Sequence, residues 1–257
     1  MQRVILLGAS NVTFAFPRLW HGLRRAVAEP VELFAAHGHG RSFGMWSRIG
    51  PRELPGIVSC RIWDDLAAQP ATGDRQPLAL ITDIGNDLLY GAEPDQIGEW
   101  VGECVSRLKL MSARIVLTQL PLASVERLGP RRFRFFRAAF FPGSQMRFDD
   151  LHAKAERLNQ LVVELGQTHE LPTPAPRGEW YGVDPIHIRS RSQVAAWAEL
   201  SASWFDQSTD ATFRSVSPTR ALSLWRQRPF ERRWFSRIQS ATQPVLREPD
   251  GSRLWLY

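Results

Sequence analysis

The chain has 257 residues, 44% of them hydrophobic and 23% charged, which is the composition of a globular protein and excludes disordered, fibrous and low-complexity classes. The net charge of +6 is local: residues 208–257 hold nine Arg against four acids, and the remainder is near neutral, so basicity alone does not make the whole chain a nucleic-acid binder. Cys60 and Cys104, the only cysteines, exclude a disulfide framework and a cysteine metal knuckle.

Met1-Gln2-Arg3 runs directly into Val4-Ile5-Leu6-Leu7, which is too short for an export signal, and no apolar run reaches the ~18 residues of a membrane span. A cytoplasmic protein is expected. Arg3 to Gly8 reads as a buried parallel strand that turns into a helix at Gly8-Ala9-Ser10-Asn11, with Asn11 or Thr13 as its cap. Phe14, Leu19, Leu23 and Val27 carry the apolar stripe of that helix.

Val31 to Ala36 predicts a second strand, emptying into His37-Gly38-His39-Gly40-Arg41-Ser42-Phe43-Gly44, whose glycines permit unusual backbone angles. Leu78 to Thr82 predicts a third strand, ending in Asp83-Ile84-Gly85-Asn86-Asp87; Pro94 to Lys109 predicts a helix with Pro near its start, and Ala113 to Leu117 a fourth strand. Residues 121–150 interrupt this rhythm with six Arg and six Phe. An amphipathic helix from near Phe148 to Thr168, a short last strand from Leu171 and a closing helix over Ser190 to Phe205 complete the pattern. Such alternation implies an α/β fold, a mostly parallel sheet covered on both faces, with ligands bound beyond the carboxyl ends of its strands. The composition shift after Asp206 divides the chain into a domain over 1–207 and an Arg/Trp-rich C-terminal extension over 208–257.

Three loops sit at those carboxyl ends. Ser10 follows the first strand, where it reads as a helix cap, a phosphate loop or a nucleophile. Asp184-Pro185-Ile186-His187 lets a carboxylate fold back onto an imidazole, although an isolated pair of this spacing also suits a turn with a solvated His. Gly40 and Asn86 can supply an amide and a carboxamide to an oxyanion. A hydroxyl needs all of these partners to act as a nucleophile at neutral pH.

In this order the blocks resemble the SGNH, or GDSL-type, hydrolases over roughly residues 3–206. The resemblance implies a flavodoxin-like three-layer α/β/α domain with a five-stranded, mostly parallel sheet, and a serine hydrolase acting on a carboxylic ester or thioester through an acyl-enzyme. It assigns catalysis to Ser10, Asp184 and His187 and the oxyanion hole to the Ser10 and Gly40 amides with the Asn86 carboxamide. His39, Ser42, Asp87 and Ile186 fall beside those positions as substrate-binding candidates, and no metal or organic cofactor is required. The family's Gly-Asp-Ser-Leu signature is Gly8-Ala9-Ser10-Asn11 here, without the acid before the serine.

Competing readings are fewer in residues. A nicotinamide-binding loop would need glycines where Asn11 and Phe14 stand and a carboxylate after the second strand, which Phe34-Ala35-Ala36-His37 lacks. His37 and His39 could share a metal, but no third ligand has convincing spacing. The 121–150 segment suits either a solvated basic helix with a buried aromatic face or a lid giving an acyl chain an apolar wall or contacting an anionic membrane. The extension, with Trp225, Trp234 and Trp255, either packs its aromatics onto the domain or binds nucleic acid, and a catalytically idle binding module is the alternative to the enzyme.

Overall fold

The computed structural model describes residues 1–69, 75–205 and 213–257; the division expected at 207/208 lies outside the described residues. In chain order the elements are β1 (Gln2–Leu7), α1 (Ser10–Ala26), β2 (Val31–Ala36), β3 (Ser47–Ile49), β4 (Arg52–Leu54), α2 (Ile62–Ala68), β5 (Leu78–Ile81), α3 (Asn86–Leu89), α4 (Pro94–Leu110), β6 (Arg114–Leu117), α5 (Leu122–Val125), α6 (Pro130–Phe140), α7 (Phe148–Thr168), α8 (Gln193–Leu200), α9 (Pro218–Trp225), β7 (Glu231–Trp234), β8 (Arg237–Ser240), β9 (Leu246–Arg247) and β10 (Arg253–Leu256).

The main sheet has the order β6-β5-β1-β2-β10-β9, in which the first five strands run parallel and β9 pairs antiparallel at the edge. Period-2 alternation splits β1 between two cores. Ile5 and Leu7 face α2, α4 and α7, whereas Val4 and Leu6 face α1, α8 and α9. On α1 the buried stripe Val12, Phe16, Leu19, Trp20 and Leu23 follows helical spacing, each side chain worth about 2 kcal/mol of transfer free energy. The expected three-layer α/β/α arrangement is present.

Two expectations are corrected. No strand forms at Leu171, because Pro172, Pro174 and Pro176 remove every second N–H; the Pro172 and Pro174 carbonyls still accept hydrogen bonds from the amides of Leu117 and Gln119, at 3.1 Å each. The edge beyond β2 is built instead by the C-terminal segment. Leu254, Trp255 and Leu256 are 0%, 2% and 6% exposed, and the Trp255 ring stacks on Phe34 with centroids 4.4 Å apart. The apolar pattern of 253–257 is too short to be distinguished from a loop in a window dominated by Arg, Ser and Pro.

The same segment supplies half of a second, antiparallel sheet of order β3-β4-β7-β8. This small sheet backs the loop after β2, since a Cβ at Gly38 would meet Leu54 and one at Gly40 would meet Ile49. Among the described residues no helix is long and apolar enough to cross a membrane.

Candidate active site

The ends of β1, β5 and β6 and the loop before α8 meet at one cavity of about 100 Å³, lined by Ser10, Asp83, Asn86, Leu120, Ile186 and His187 among others. Ser10 is the first residue of α1 and is 8% exposed. The Gly40 amide donates to its Oγ at 3.2 Å. Among the described residues the hydroxyl makes no hydrogen bond to His187, although both line the cavity.

Asp184 and His187 are joined within one loop. The imidazole Nδ1 lies 2.6 Å from Asp184 Oδ2, while Asp184 Oδ1 accepts the amides of Ile186 at 3.0 Å and His187 at 3.2 Å. Burial alone would raise the Asp184 carboxyl; the His187 hydrogen bond and charge, with these two amides, outweigh it and hold the group below the usual carboxylate range. With Nδ1–H donated to the carboxylate, Nε2 is the basic nitrogen. Phe14 and Phe140 meet the imidazole edge-on, with centroids at 5.1 and 5.4 Å.

Gly40 has φ +62, in the left-handed region that favours glycine, and a Cβ there would lie 2.7 Å from Ile49 and 2.8 Å from the Tyr90 hydroxyl. Its carbonyl accepts the Tyr90 hydroxyl at 2.6 Å. Gly38, two residues earlier in this loop, makes no such contact with Ser10 among the described residues. Asn86 begins α3, lines the cavity and reaches the Arg41 carbonyl with Nδ2 at 3.4 Å.

Of the substrate-binding candidates, Ile186 lines the cavity, and His39 stands beside it with its ring 4.6 Å from that of Phe14. Burial, then the Arg52 and His187 charges, lower the His39 pKa to about 4. Ser42 and Asp87 are corrected: both are 0% exposed and bonded to each other, with the Phe43 amide donating to Asp87 at 3.0 Å. They tie the second loop to the third and do not face the cavity, because the chain turns inward after each glycine block. Burial outweighs these hydrogen bonds and pushes the Asp87 carboxyl up to about 6.

His37 and His39 do not converge on a common point. The His37 ring is stacked on Phe16, its Nδ1 is 2.9 Å from the Thr13 hydroxyl, and burial with the nearby Arg41 and Arg52 charges lowers its pKa to about 3. Among the described residues no group of three or more His, Cys, Asp or Glu is placed to hold a metal ion. The three tryptophans of the C-terminal segment do not form one face: Trp255 is buried, while Trp225 is 56% and Trp234 38% exposed.

Several residues here carry roles that the sequence did not disclose. The expected caps of α1 do not act as caps: Thr13 bonds back to the Ala9 carbonyl at 2.7 Å, and the Asn11 side chain is turned away toward the Asp184–His187 loop. The cap is Asp83, whose Oδ2 accepts the amides of Ala9 at 3.0 Å, Asn11 at 2.9 Å and Val12 at 3.3 Å. A carboxylate is thus present at the serine turn, supplied by the end of β5 and not by residue 9. Asp83 sits at φ +60, a conformation that few side chains other than Asn and Asp tolerate, so the turn is held in an unusual shape at the site.

Beyond Leu89, Val125, Leu151 and Ile186 the cavity adjoins a second, smaller one of about 50 Å³, whose further lining includes Leu128, Phe133, Phe136 and Phe140 of the 121–150 segment. Arg137 is the only charged residue among the described lining of that slot.

No family model matches the chain, and no curated protein matches it. Solved structures do. An aryl esterase of M. smegmatis is 16% identical over 79% of this chain and 99% of its own, with a TM-score of 0.53. A carbohydrate acetylesterase of Sinorhizobium meliloti, Est24, is 16% identical over 80% of this chain and 100% of its own, at TM-score 0.54. A lipolytic protein of the G-D-S-L family from Veillonella parvula is 13% identical over 80% and 100%, at 0.52. The chain therefore shares the fold of the SGNH, or GDSL-type, hydrolases, as its four sequence blocks imply.

Proposed function

We propose that this chain is a serine hydrolase that cleaves a carboxylic ester or thioester through an acyl-enzyme on Ser10. The observation that supports the reading is that Ser10, Asn86 and His187 line one cavity, with the Gly40 amide on the Ser10 hydroxyl and the His187 imidazole bound to the Asp184 carboxylate.

His187 takes the Ser10 proton as Oγ attacks the carbonyl carbon, and Asp184 holds the tautomer and stabilises the imidazolium. The oxyanion is received by the Ser10 and Gly40 amides and the Asn86 carboxamide, each such donor contributing on the order of 3 kcal/mol in the transition state. The tetrahedral species collapses as the imidazolium gives its proton to the leaving alcohol or thiol. Water, deprotonated by the same imidazole, then attacks the acyl-enzyme and releases the acid and the free serine.

The slot beyond Leu89 and Leu151 supports an apolar acyl group, since an aliphatic chain there would meet side-chain carbon on most sides. Nitrophenyl esters from acetate to octanoate test both parts, with Ser10→Ala as control. The wild type turns over with kcat/KM rising along the series, by up to about fourfold per buried methylene, and Ser10→Ala loses ~10⁴-fold or more. Turnover that survives Ser10→Ala would refute the nucleophile, and a profile that falls from acetate onward would refute the acyl slot.

A further inference from the structure

The Asn11 side chain places both of its donors and its acceptor oxygen between the serine turn and the histidine loop. Its Oδ1 accepts the Ile188 amide at 2.7 Å, and its Nδ2 donates to the Ile186 carbonyl at 2.9 Å and to Asp83 Oδ1 at 2.7 Å. Ile186 and Ile188 are the two chain neighbours of His187, so one carboxamide grips the backbone on both sides of the imidazole-bearing residue. Asn11 itself directly follows Ser10 and is only 8% exposed.

Asp83 anchors the other end of this chain of bonds. One carboxylate oxygen collects the amides of Ala9, Asn11 and Val12, and the other receives the Asn11 carboxamide. The Ser10 amide lies between these donors, yet among the described residues it has no acceptor, which leaves it available to a substrate oxygen. A buried carboxamide with every group paired is costly to disturb, since truncating it leaves three partners unsatisfied.

We infer that Asn11 and Asp83 are positioning residues that set the register between the Ser10 hydroxyl and the His187 imidazole. They touch neither the scissile bond nor the transferred proton. Position 11 requires a donor and an acceptor on one short side chain, a condition that Leu or Ala cannot meet and that Asp meets only in part, because it cannot donate and would set a second carboxylate against Asp83. The inference rests on the hydrolase reading, so every comparison is made on substrates the wild type turns over in a Ser10-dependent way.

The test uses one acyl group on two leaving groups, 4-nitrophenol and a simple alkanol. A displaced imidazole fails twice on the alkanol, once as base and once as the acid that protonates a poor leaving group, whereas nitrophenolate departs without a proton. Asn11→Ala is expected to lower kcat on the order of 100-fold for the nitrophenyl ester with KM within about twofold, and at least tenfold further for the alkyl ester. Asn11→Asp should lose as much. Combining it with Asp83→Asn removes the carboxylate–carboxylate contact: residue 83 then donates to residue 11 while still capping the amides of Ala9, residue 11 and Val12, so at least tenfold of the activity returns relative to Asn11→Asp alone, although residue 11 still lacks a donor for the Ile186 carbonyl and the wild-type level is not reached.

Equal losses on both esters, or activity within threefold of wild type in Asn11→Ala, would overturn the inference. So would a double variant no better than Asn11→Asp, a comparison that remains informative if the single variants lose stability. Absence of Ser10-dependent turnover in the wild type would instead defeat the hydrolase reading beneath it.

Discussion

Asp83 and Asp87 stand four residues apart in one loop and do opposite kinds of work. Asp83, half-buried at the cavity wall, holds the turn that presents Ser10 by accepting three of its neighbours' amides. Asp87 is wholly buried and accepts from Ser42 and Phe43, fixing the loop that presents Gly40. The same functional group therefore holds the turn at Ser10 and the loop at Gly40. What differs is the desolvation each suffers: the one at the wall keeps contact with the cavity, and the one in the core is pushed up to about 6.

If the Gly40 side is held as described, its weakest point is the glycine. Gly40→Ala forces a Cβ against Ile49 and the Tyr90 hydroxyl at positive φ, and kcat for any Ser10-dependent substrate should fall on the order of 10²–10³-fold with KM little changed. Steady-state kinetics check this. Gly85→Ala is the contrast, since a Cβ there meets only Leu120 at 3.5 Å with φ −73, and activity should stay within a few-fold.

The Asp87 side makes a prediction about pH. Its folded pKa, about 6, lies above the unfolded value near 3.8, so between those values the native state holds a proton that the unfolded state has released. Stability from this group is therefore present below about pH 4 and is lost as pH rises toward 6, by about 3 kcal/mol at most. In denaturant unfolding at pH 4 and pH 7, the change in stability of the wild type minus that of Asp87→Asn should be a loss of this size and sign, which removes the contributions of His37 and His39 common to both. A wild type that gains stability over this window relative to the Asn variant would contradict it.

The smallest expected effect is at Tyr90. Tyr90→Phe removes the hydroxyl that donates to the Gly40 carbonyl at 2.6 Å, and should cost about two- to tenfold in kcat while the loop remains held by Asp87. A loss as large as that of Gly40→Ala would mean that Tyr90, and not the buried acid, carries the loop.

The sequence was most legible where a residue's chemistry and its place at a strand end coincide. Ser10, Gly40, Asn86 and the Asp184–His187 pair are all read from block order; Ser10, Asn86 and His187 line one cavity, with Gly40 hydrogen-bonded to Ser10 and Asp184 to His187. The strands β1, β2, β5 and β6 were legible because short, mostly apolar runs set between polar or Pro- and Gly-containing segments admit few other states. Asp83 and Asn11 were not, since their partners lie 72 and 177 positions away and local spacing holds no trace of them. Phe14 was read as core from helical periodicity, yet it is 46% exposed and turned to His187, because at 100° per residue it lies across the helix from the buried stripe of Val12, Phe16, Leu19 and Leu23. The place of β10 in the main sheet was illegible for a different reason: a parallel partner 221 positions away is chosen by tertiary packing of Trp255 on Phe34, not by propensity.

The central claim is that the hydroxyl of residue 10 is the activated nucleophile. Intact and peptide mass spectrometry after exposure to a fluorophosphonate probe measures this directly, without any assumption about substrate. The account predicts one adduct per chain, on the peptide bearing Ser10, that is lost in Ser10→Ala and strongly slowed in His187→Ala. No adduct on folded protein, or an adduct at another residue that persists in Ser10→Ala, would contradict it.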